Sequence, residues 1–99
     1  MQSVECVFCK IVAGEIPATV EFSDDTVIVF RDIHPLAPIH VLIVPKKHVS
    51  DLETADDVNV LGKLQLVAGQ MVKKLGVEKA YKVVANGGNL QEVKHLHYH

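Results

Sequence analysis

The last five residues, His95-Leu96-His97-Tyr98-His99, place three of the chain's six histidines at alternate positions. In a β-strand successive side chains point to opposite faces. This spacing therefore puts all three imidazoles on one face and Leu96 and Tyr98 on the other. One face is suited to packing and the other to chemistry. The leucine and tyrosine spacers also set the stretch apart from a purification tag, which is a run of consecutive histidines.

The strongest strand signals lie upstream. Thr26 to Arg31 is β-branched and nearly continuous in apolar residues, as a central strand would be, and it pairs as a hairpin with Thr19 to Phe22 across the turn Ser23-Asp24-Asp25. His40 to Pro45 is the next strand, stopped by its proline. Between them Pro35 and Pro38 exclude a regular helix over Asp32 to Pro38. The strand from His40 thus has a histidine at its start and another, His48, just past its end.

Two helices are expected. Cys6 to Ala13 reads as a short one, ended by Gly14. A long one runs from about 55 to 75, with Thr54 as N-cap, Asp57 three residues on, and Leu61, Leu64, Ala68, Met71 and Leu75 on one face. Gly76 suits its C-terminal end, and the seven-residue spacing of Gly62 and Gly69 within it hints at a close contact. Tyr81 to Ala85 and Val93 to His99 are the last strands, joined by the turn Asn86-Gly87-Gly88-Asn89, and the mixed order of elements reads as α+β.

A chain of 99 residues with 48% hydrophobic and 22% charged side chains fits a single globular domain, 1–99, and no apolar run approaches a membrane span. The net charge of −2 leaves no broad electrostatic footprint for nucleic acid, so an anionic ligand must be held by local donors. The first residues lack the basic start and apolar run of a secretory signal, and a cytoplasmic protein is expected.

Cys6 and Cys9, the only cysteines, form a C-x-x-C pair. No strand precedes it, which disfavours a thioredoxin-like couple and leaves half of a metal site or plain structural thiols. Zinc would need two more ligands from among His34, His40, His48, His95, His97 and His99, and spacing alone does not select them. A neutral imidazole of the tail is equally able to act as a nucleophile toward phosphorus, with a neighbouring one carrying protons. The Asn86–Asn89 turn reads as an ordinary hairpin turn or as a set of amides for an anion.

With these segments in place the chain resembles the histidine triad family, whose motif is His-φ-His-φ-His-φ-φ with φ apolar. The stretch from Phe30 to His48 (Phe-Arg-Asp-Ile-His-Pro-Leu-Ala-Pro-Ile-His-Val-Leu-Ile-Val-Pro-Lys-Lys-His) is similar to the family's other recognisable block, and Phe8, Ile11 and Glu15-Ile16-Pro17 fit as well. The resemblance implies an antiparallel sheet of about five strands with one long and one short helix, continuing across a homodimer. It implies a purine nucleotide site in which Val7, Phe8, Ile11, Phe30, Ile33 and Leu42 enclose the base and Asp32 holds the ribose hydroxyls. Asn86, Gln91, His40, His95 and His97 surround the phosphate.

By the same resemblance His97 is the nucleophile and His95 supports it. The partner is a purine nucleotide such as AMP or an AMP conjugate, and the implied reaction is hydrolysis of a nucleoside phosphoramidate or related conjugate through a nucleotidyl-histidine. Zinc-binding bacterial members imply a structural zinc held by Cys6, Cys9, His48 and His99. Three departures accompany the match. Leu90 stands before Gln91 in place of a glycine, with a short loop from Asn86; Glu92 occupies the place of a serine; and the sequence ends at His99, without the motif's two apolar residues and the family's tail. A dinucleoside polyphosphate hydrolase, a nucleotide-binding interaction protein with little turnover and a plain zinc-stabilised domain are the alternatives.

Overall fold

The computed structural model of the chain describes residues 6–99. In chain order it contains α1 (Val7–Val12), β1 (Val20–Ser23), β2 (Val27–Arg31), β3 (Val41–Pro45), α2 (Val58–Lys74) and a 3-10 turn at Gly88–Leu90. The strands form an antiparallel sheet in the order β1-β2-β3. Pairing of β2 with β3 is unbroken from Val27 opposite Pro45 to Arg31 opposite Val41, whereas β1 carries an irregularity between Val20 and Phe22.

The β1–β2 turn is held by Asp24, whose carboxylate accepts the amides of Thr26 and Val27 at 2.8 and 2.9 Å and meets the Lys63 ammonium at 2.8 Å. Burial works to raise the Asp24 pKa, but the Lys63 bond and the two amides outweigh it and bring the group to about 2. A residue of α2 is thereby tied to the hairpin.

Because strand side chains alternate, the sheet buries both faces. Val27, Val29, Val41 and Ile43 pack against Leu64, Val67, Ala68 and Met71 of α2, and Ile28, Phe30, Leu42 and Val44 pack against Phe8, Cys6 and Cys9 beside α1. The expected apolar stripe of α2 is the one that packs, with Val67 added to it. The tail obeys the same period: Leu96 and Tyr98 belong to the α2 side.

Tyr98 exchanges both backbone hydrogen bonds with Ile43, at 2.9 and 3.0 Å, and also bridges Ala85, flanked by bonds of 2.7 and 3.2 Å between Val84 and His99. The tail therefore lies between β3 and residues 83–85. Here the structure departs from expectation, because 81–85 and 93–99 form isolated bridges rather than strands, and the described residues hold three strands instead of about five. The Leu96 amide bonds to Val49 at 2.6 Å, beyond the end of β3, which interrupts the ladder after one pair. Tyr81, Val83 and Val84 are exposed, so little burial reinforces pairing there.

Two local expectations are corrected. Asp57, not Thr54, caps α2, its carboxylate accepting the amides of Asn59 at 2.9 Å and Val60 at 3.4 Å; Thr54 is engaged with Asp51 in a separate turn. A Cβ at Gly62 or Gly69 would meet nothing within 4 Å, so no close contact among the described residues requires either glycine. Gly76 does follow α2 in the left-handed conformation, with φ of +70°. No helix among the described residues is long and apolar enough to cross a membrane.

Removing the α2 cap should cost about 1 kcal/mol of unfolding free energy, the usual magnitude for loss of an N-cap carboxylate. Urea titration of Asp57→Ala and Thr54→Ala checks this: the first is expected to lower the midpoint clearly more than the second, and equal shifts would contradict the assignment of the cap.

Candidate functional site

α1 begins at the C-x-x-C pair because Cys6 is its N-cap: the Cys6 Sγ accepts the Cys9 amide at 3.4 Å, which turns both sulfurs to the same end of the helix. Both side chains are buried against the face of the sheet that carries Leu42 and Val44. His95 and His97 emerge from the tail on this face, opposite Leu96 and Tyr98, as the alternation requires.

The His95 ring closes a cluster with both sulfurs and with His48. Its Nδ1 lies 3.3 Å from Cys6 Sγ and 3.5 Å from Cys9 Sγ, and Cys9 Sγ lies 3.3 Å from His48 Nδ1. All four donor atoms fall within 4.8 Å of one another. Tetrahedral zinc, with Zn–S of about 2.3 Å and Zn–N of about 2.05 Å, separates sulfur from nitrogen by about 3.6 Å. The donor set of two sulfurs and two imidazoles, near that spacing, fits zinc. The other nitrogen of His95, Nε2, donates to the Pro45 carbonyl at 2.8 Å, which leaves Nδ1 as a lone pair facing the sulfurs.

Burial is the main reason the His95 pKa falls from 6.5 to about 4. The Pro45 bond opposes this, and the neighbouring His48 and His97 add to the fall. His95 is therefore neutral at pH 7, the form in which an imidazole is a metal ligand.

The expected fourth ligand, His99, lies elsewhere. Antiparallel pairing of Tyr98 with Ile43 sends the tail from His99 back to His95 as β3 advances from Val41 to Pro45 and on toward His48. His95 thus meets His48, and His99 meets His40 at the opposite end. Four residues of extended chain span about 13 Å, too far for His99 to share a first coordination shell with His95.

At that opposite end Asp32, His40 and His99 form a second cluster. The Leu36 amide donates to His40 Nδ1 at 3.0 Å. An amide only donates, so in the neutral ring the proton is on Nε2. That proton points to His99 Nδ1 at 3.0 Å and, farther away, to an Asp32 oxygen at 3.5 Å. With no lone pair on Nε2, His40 is a hydrogen-bond donor here rather than a metal ligand. The His99 pKa is lowered, first by burial and then by His97 and His40, with Asp32 and Glu92 opposing. His99 accordingly accepts at Nδ1 in its neutral form and keeps its proton on Nε2.

His97 stands between the two ends. Its Nδ1 lies 2.7 Å from the His95 carbonyl, so Nδ1 carries the proton and Nε2 the lone pair. The Phe8 ring meets it edge-on at 4.9 Å and the His99 ring at 4.7 Å.

Of the residues expected around a purine, Phe8, Phe30 and Leu42 are buried in one cluster with Ile11 against it, whereas Val7 and Ile33 are exposed. Asp32 accepts the His34 amide at 2.9 Å. Gln91 is buried, donates to the Ser50 carbonyl at 2.7 Å and keeps an Oε1 with no hydrogen-bond partner among the described residues. Asn86 borders a separate open groove of about 560 Å³ between α2 and residues 80–84, with His40 and His99 at its edge. Sequence reasoning missed the Pro45 carbonyl and the place of His95 in the cluster. The available signal was the pair of histidines flanking β3, which antiparallel pairing matches to opposite ends of the triad.

A model of the HIT domain matches residues 13–99, a stretch that excludes the two cysteines. A 14 kDa zinc-binding protein of Zea mays is 42% identical over 99 residues, covering 94% of this chain and 77% of the relative. A HIT family hydrolase from Legionella pneumophila superposes with a TM-score of 0.91 at 40% identity, over 95% of this chain and 88% of that one. A histidine triad nucleotide-binding protein from Candida albicans does so with a TM-score of 0.89 at 34% identity, over 95% and 71%. Triad, fold and sequence similarity converge, and the chain belongs to the HIT domain family.

Proposed function

We propose that this protein is a nucleotide hydrolase that cleaves nucleoside phosphoramidates, or related nucleotide conjugates, through a nucleotidyl-histidine on His97. The observation that carries the reading is the 2.7 Å bond from His97 Nδ1 to the His95 carbonyl, which leaves the Nε2 lone pair available for attack. Nε2 forms a bond to the α-phosphorus as the bond from phosphorus to the amine breaks, and the amine departs with a proton. Water then attacks the phosphorus, releasing the nucleoside monophosphate and restoring the imidazole. His99, with its proton on Nε2 and its ring 4.7 Å from that of His97, is the nearest triad donor for the leaving amine. The cluster of Phe8, Phe30, Leu42 and Ile11 suits a purine base, and Asp32 is the carboxylate suited to ribose hydroxyls. The nucleotide-binding and hydrolase relatives support both assignments.

The same reading assigns a zinc ion to Cys6, Cys9, His48 and His95, supported by the donor set, its spacing and the zinc-binding relative. When bound, the ion would fix this end of the site as a closed four-ligand structural centre. It also assigns a homodimer, supported by the exposed Tyr81 and Val83 that line the apolar groove beside α2.

Incubation with adenosine phosphoramidate should release AMP, and His97→Ala should lower the rate by on the order of 10³-fold or more, as loss of a covalent nucleophile does. Equal release by both proteins would sink the covalent mechanism, and AMP binding without release would favour a binding protein. Metal analysis should find one zinc per chain in the wild type and in His99→Ala, and a substoichiometric amount in Cys6→Ser and His95→Asn. Zinc lost from His99→Ala but kept by His95→Asn would reverse the ligand assignment. Sedimentation should give a dimer that Val83→Glu dissociates, and a wild-type monomer at tens of micromolar would end that part of the reading.

A further inference from the structure

His95 faces two ways. Its ring points to the two sulfurs, while its backbone carbonyl receives His97 Nδ1–H at 2.7 Å. The residue whose side chain completes the Cys6–Cys9–His48–His95 cluster is the one whose main chain sets the tautomer of His97. A second connection starts from the same cluster. Phe8 lies between the cysteines in sequence, on the helix capped by Cys6, and its ring meets His97 edge-on at 4.9 Å and His95 at 5.8 Å. His97 is thus held by a hydrogen bond on one side and an aromatic contact on another, and both arms are anchored in the four-residue cluster.

The register of the tail is set by the Tyr98–Ile43 pair, the Leu96 amide and the buried Leu96, and Phe8 also meets Phe30, so what the cluster adds is the orientation of the His95 ring and the seating of α1. α1 is six residues long, too short to be stable by itself, and it is fixed by what its buried residues Phe8 and Cys9 touch. The His95 ring is bonded to the Pro45 carbonyl and to the sulfurs, so with the sulfurs released the Nε2 hydrogen bond and edge contacts with Phe8 and His48 would remain to orient it. A neutral histidine side chain by itself favours the proton on Nε2, so the His95 carbonyl must be in place to draw it to Nδ1 and let His97 present the Nε2 lone pair.

We propose that the Cys6–Cys9–His48–His95 cluster, closed by a metal ion, is the positioning device of His97: it holds the His95 carbonyl and the Phe8 ring so that His97 keeps its proton on Nδ1 and its lone pair on Nε2. A purely structural centre would stabilise the fold and leave the state of His97 unchanged. A positioning centre alters His97 while the fold persists. The kinetic consequence rests on His97 being the nucleophile, as proposed above; the tautomeric consequence does not.

The test uses the full chain with ¹⁵N-labelled histidine, zinc-loaded and after chelation, with circular dichroism to follow the fold. Long-range ¹H–¹⁵N spectra report which nitrogen of each ring is protonated, and the His97 signals are identified by their disappearance in His97→Ala. Zinc-loaded protein should show His97 protonated at Nδ1 alone, and stripped protein a mixture with Nε2–H. In parallel, kcat for adenosine phosphoramidate should fall about 10- to 100-fold, the usual effect of losing a metal site's supporting contacts. KM should move less than about threefold, since the loss is in the reacting step.

Should chelation unfold the chain, the same spectra of His48→Gln, which gives up one ligand and retains Cys6, Cys9 and His95, make the comparison. A folded, metal-depleted protein whose His97 keeps the Nδ1–H tautomer overturns the proposal. If zinc-loaded protein releases no AMP, the hydrolase reading fails, while the tautomer spectra still decide whether the cluster positions His97.

Discussion

The pair of backbone hydrogen bonds between Tyr98 and Ile43 determines what the rest of the site is able to be. Neither residue does chemistry. Their antiparallel exchange docks the tail against β3 in one register, and register in a strand decides both the face and the neighbour of every side chain. A slip of one residue would carry His95 and His97 to the α2 side, among Leu64, Val67 and Met71, and Leu96 to the side of the cysteines. The fully buried Leu96 and the nearly buried Tyr98 oppose that slip, because it would replace apolar side chains in that core with imidazoles. The apolar half of the tail therefore holds the histidine half in place.

Much of this was legible beforehand, and for physical reasons. The alternation in the tail is a statement about faces, and faces follow from the period of two without knowledge of partners. The burial of β2 and β3 on both sides follows in the same way from their near-continuous apolar runs. The identity of the fourth cluster residue is a statement about neighbours, and it depends on which end of the tail lies beside which end of β3. Assigning His99 to the cysteines placed the correct residue type at the wrong end. His40 and His48, at the two ends of β3, held the information, because antiparallel pairing sends the first triad histidine to His48 and the last to His40.

The α2 cap and the missing strands were hidden for different reasons. Thr54 and Asp57 are both good capping residues three positions apart, and the choice went to Asp57 because Thr54 is bound in its own turn with Asp51. Propensity ranks such candidates nearly equally, so tertiary context decides. Residues 81–85 have strand composition yet form a single bridge, since their apolar side chains face the open groove and gain little burial from pairing. Strand propensity measures how a side chain fits a half-buried pleated surface, and the exposed side chains of 81–84 lack one.

The tail also sorts three chemically identical side chains into two tautomers, Nε2–H at His95 and His99 and Nδ1–H at His97, by means that trace back to fixed backbone groups. The Pro45 carbonyl takes the Nε2 proton of His95 and turns the Nδ1 lone pair toward sulfur, and the His95 carbonyl takes the Nδ1 proton of His97 and frees Nε2. At the far end the Leu36 amide occupies Nδ1 of His40, which forces the His40 proton toward His99 and leaves the His99 proton on Nε2. Each assignment depends on a carbonyl that only accepts or an amide that only donates, so the pattern is set by the sheet and loop backbone rather than by bulk pH. Burial reinforces it: His95 and His99 are both shifted toward the neutral form, in which the two ring nitrogens differ in role. A sulfur-rich cluster at one end, a hydrogen-bonded Asp32–His40–His99 chain at the other, and a lone pair on His97 between them all follow from one strand of alternating residues set in one register.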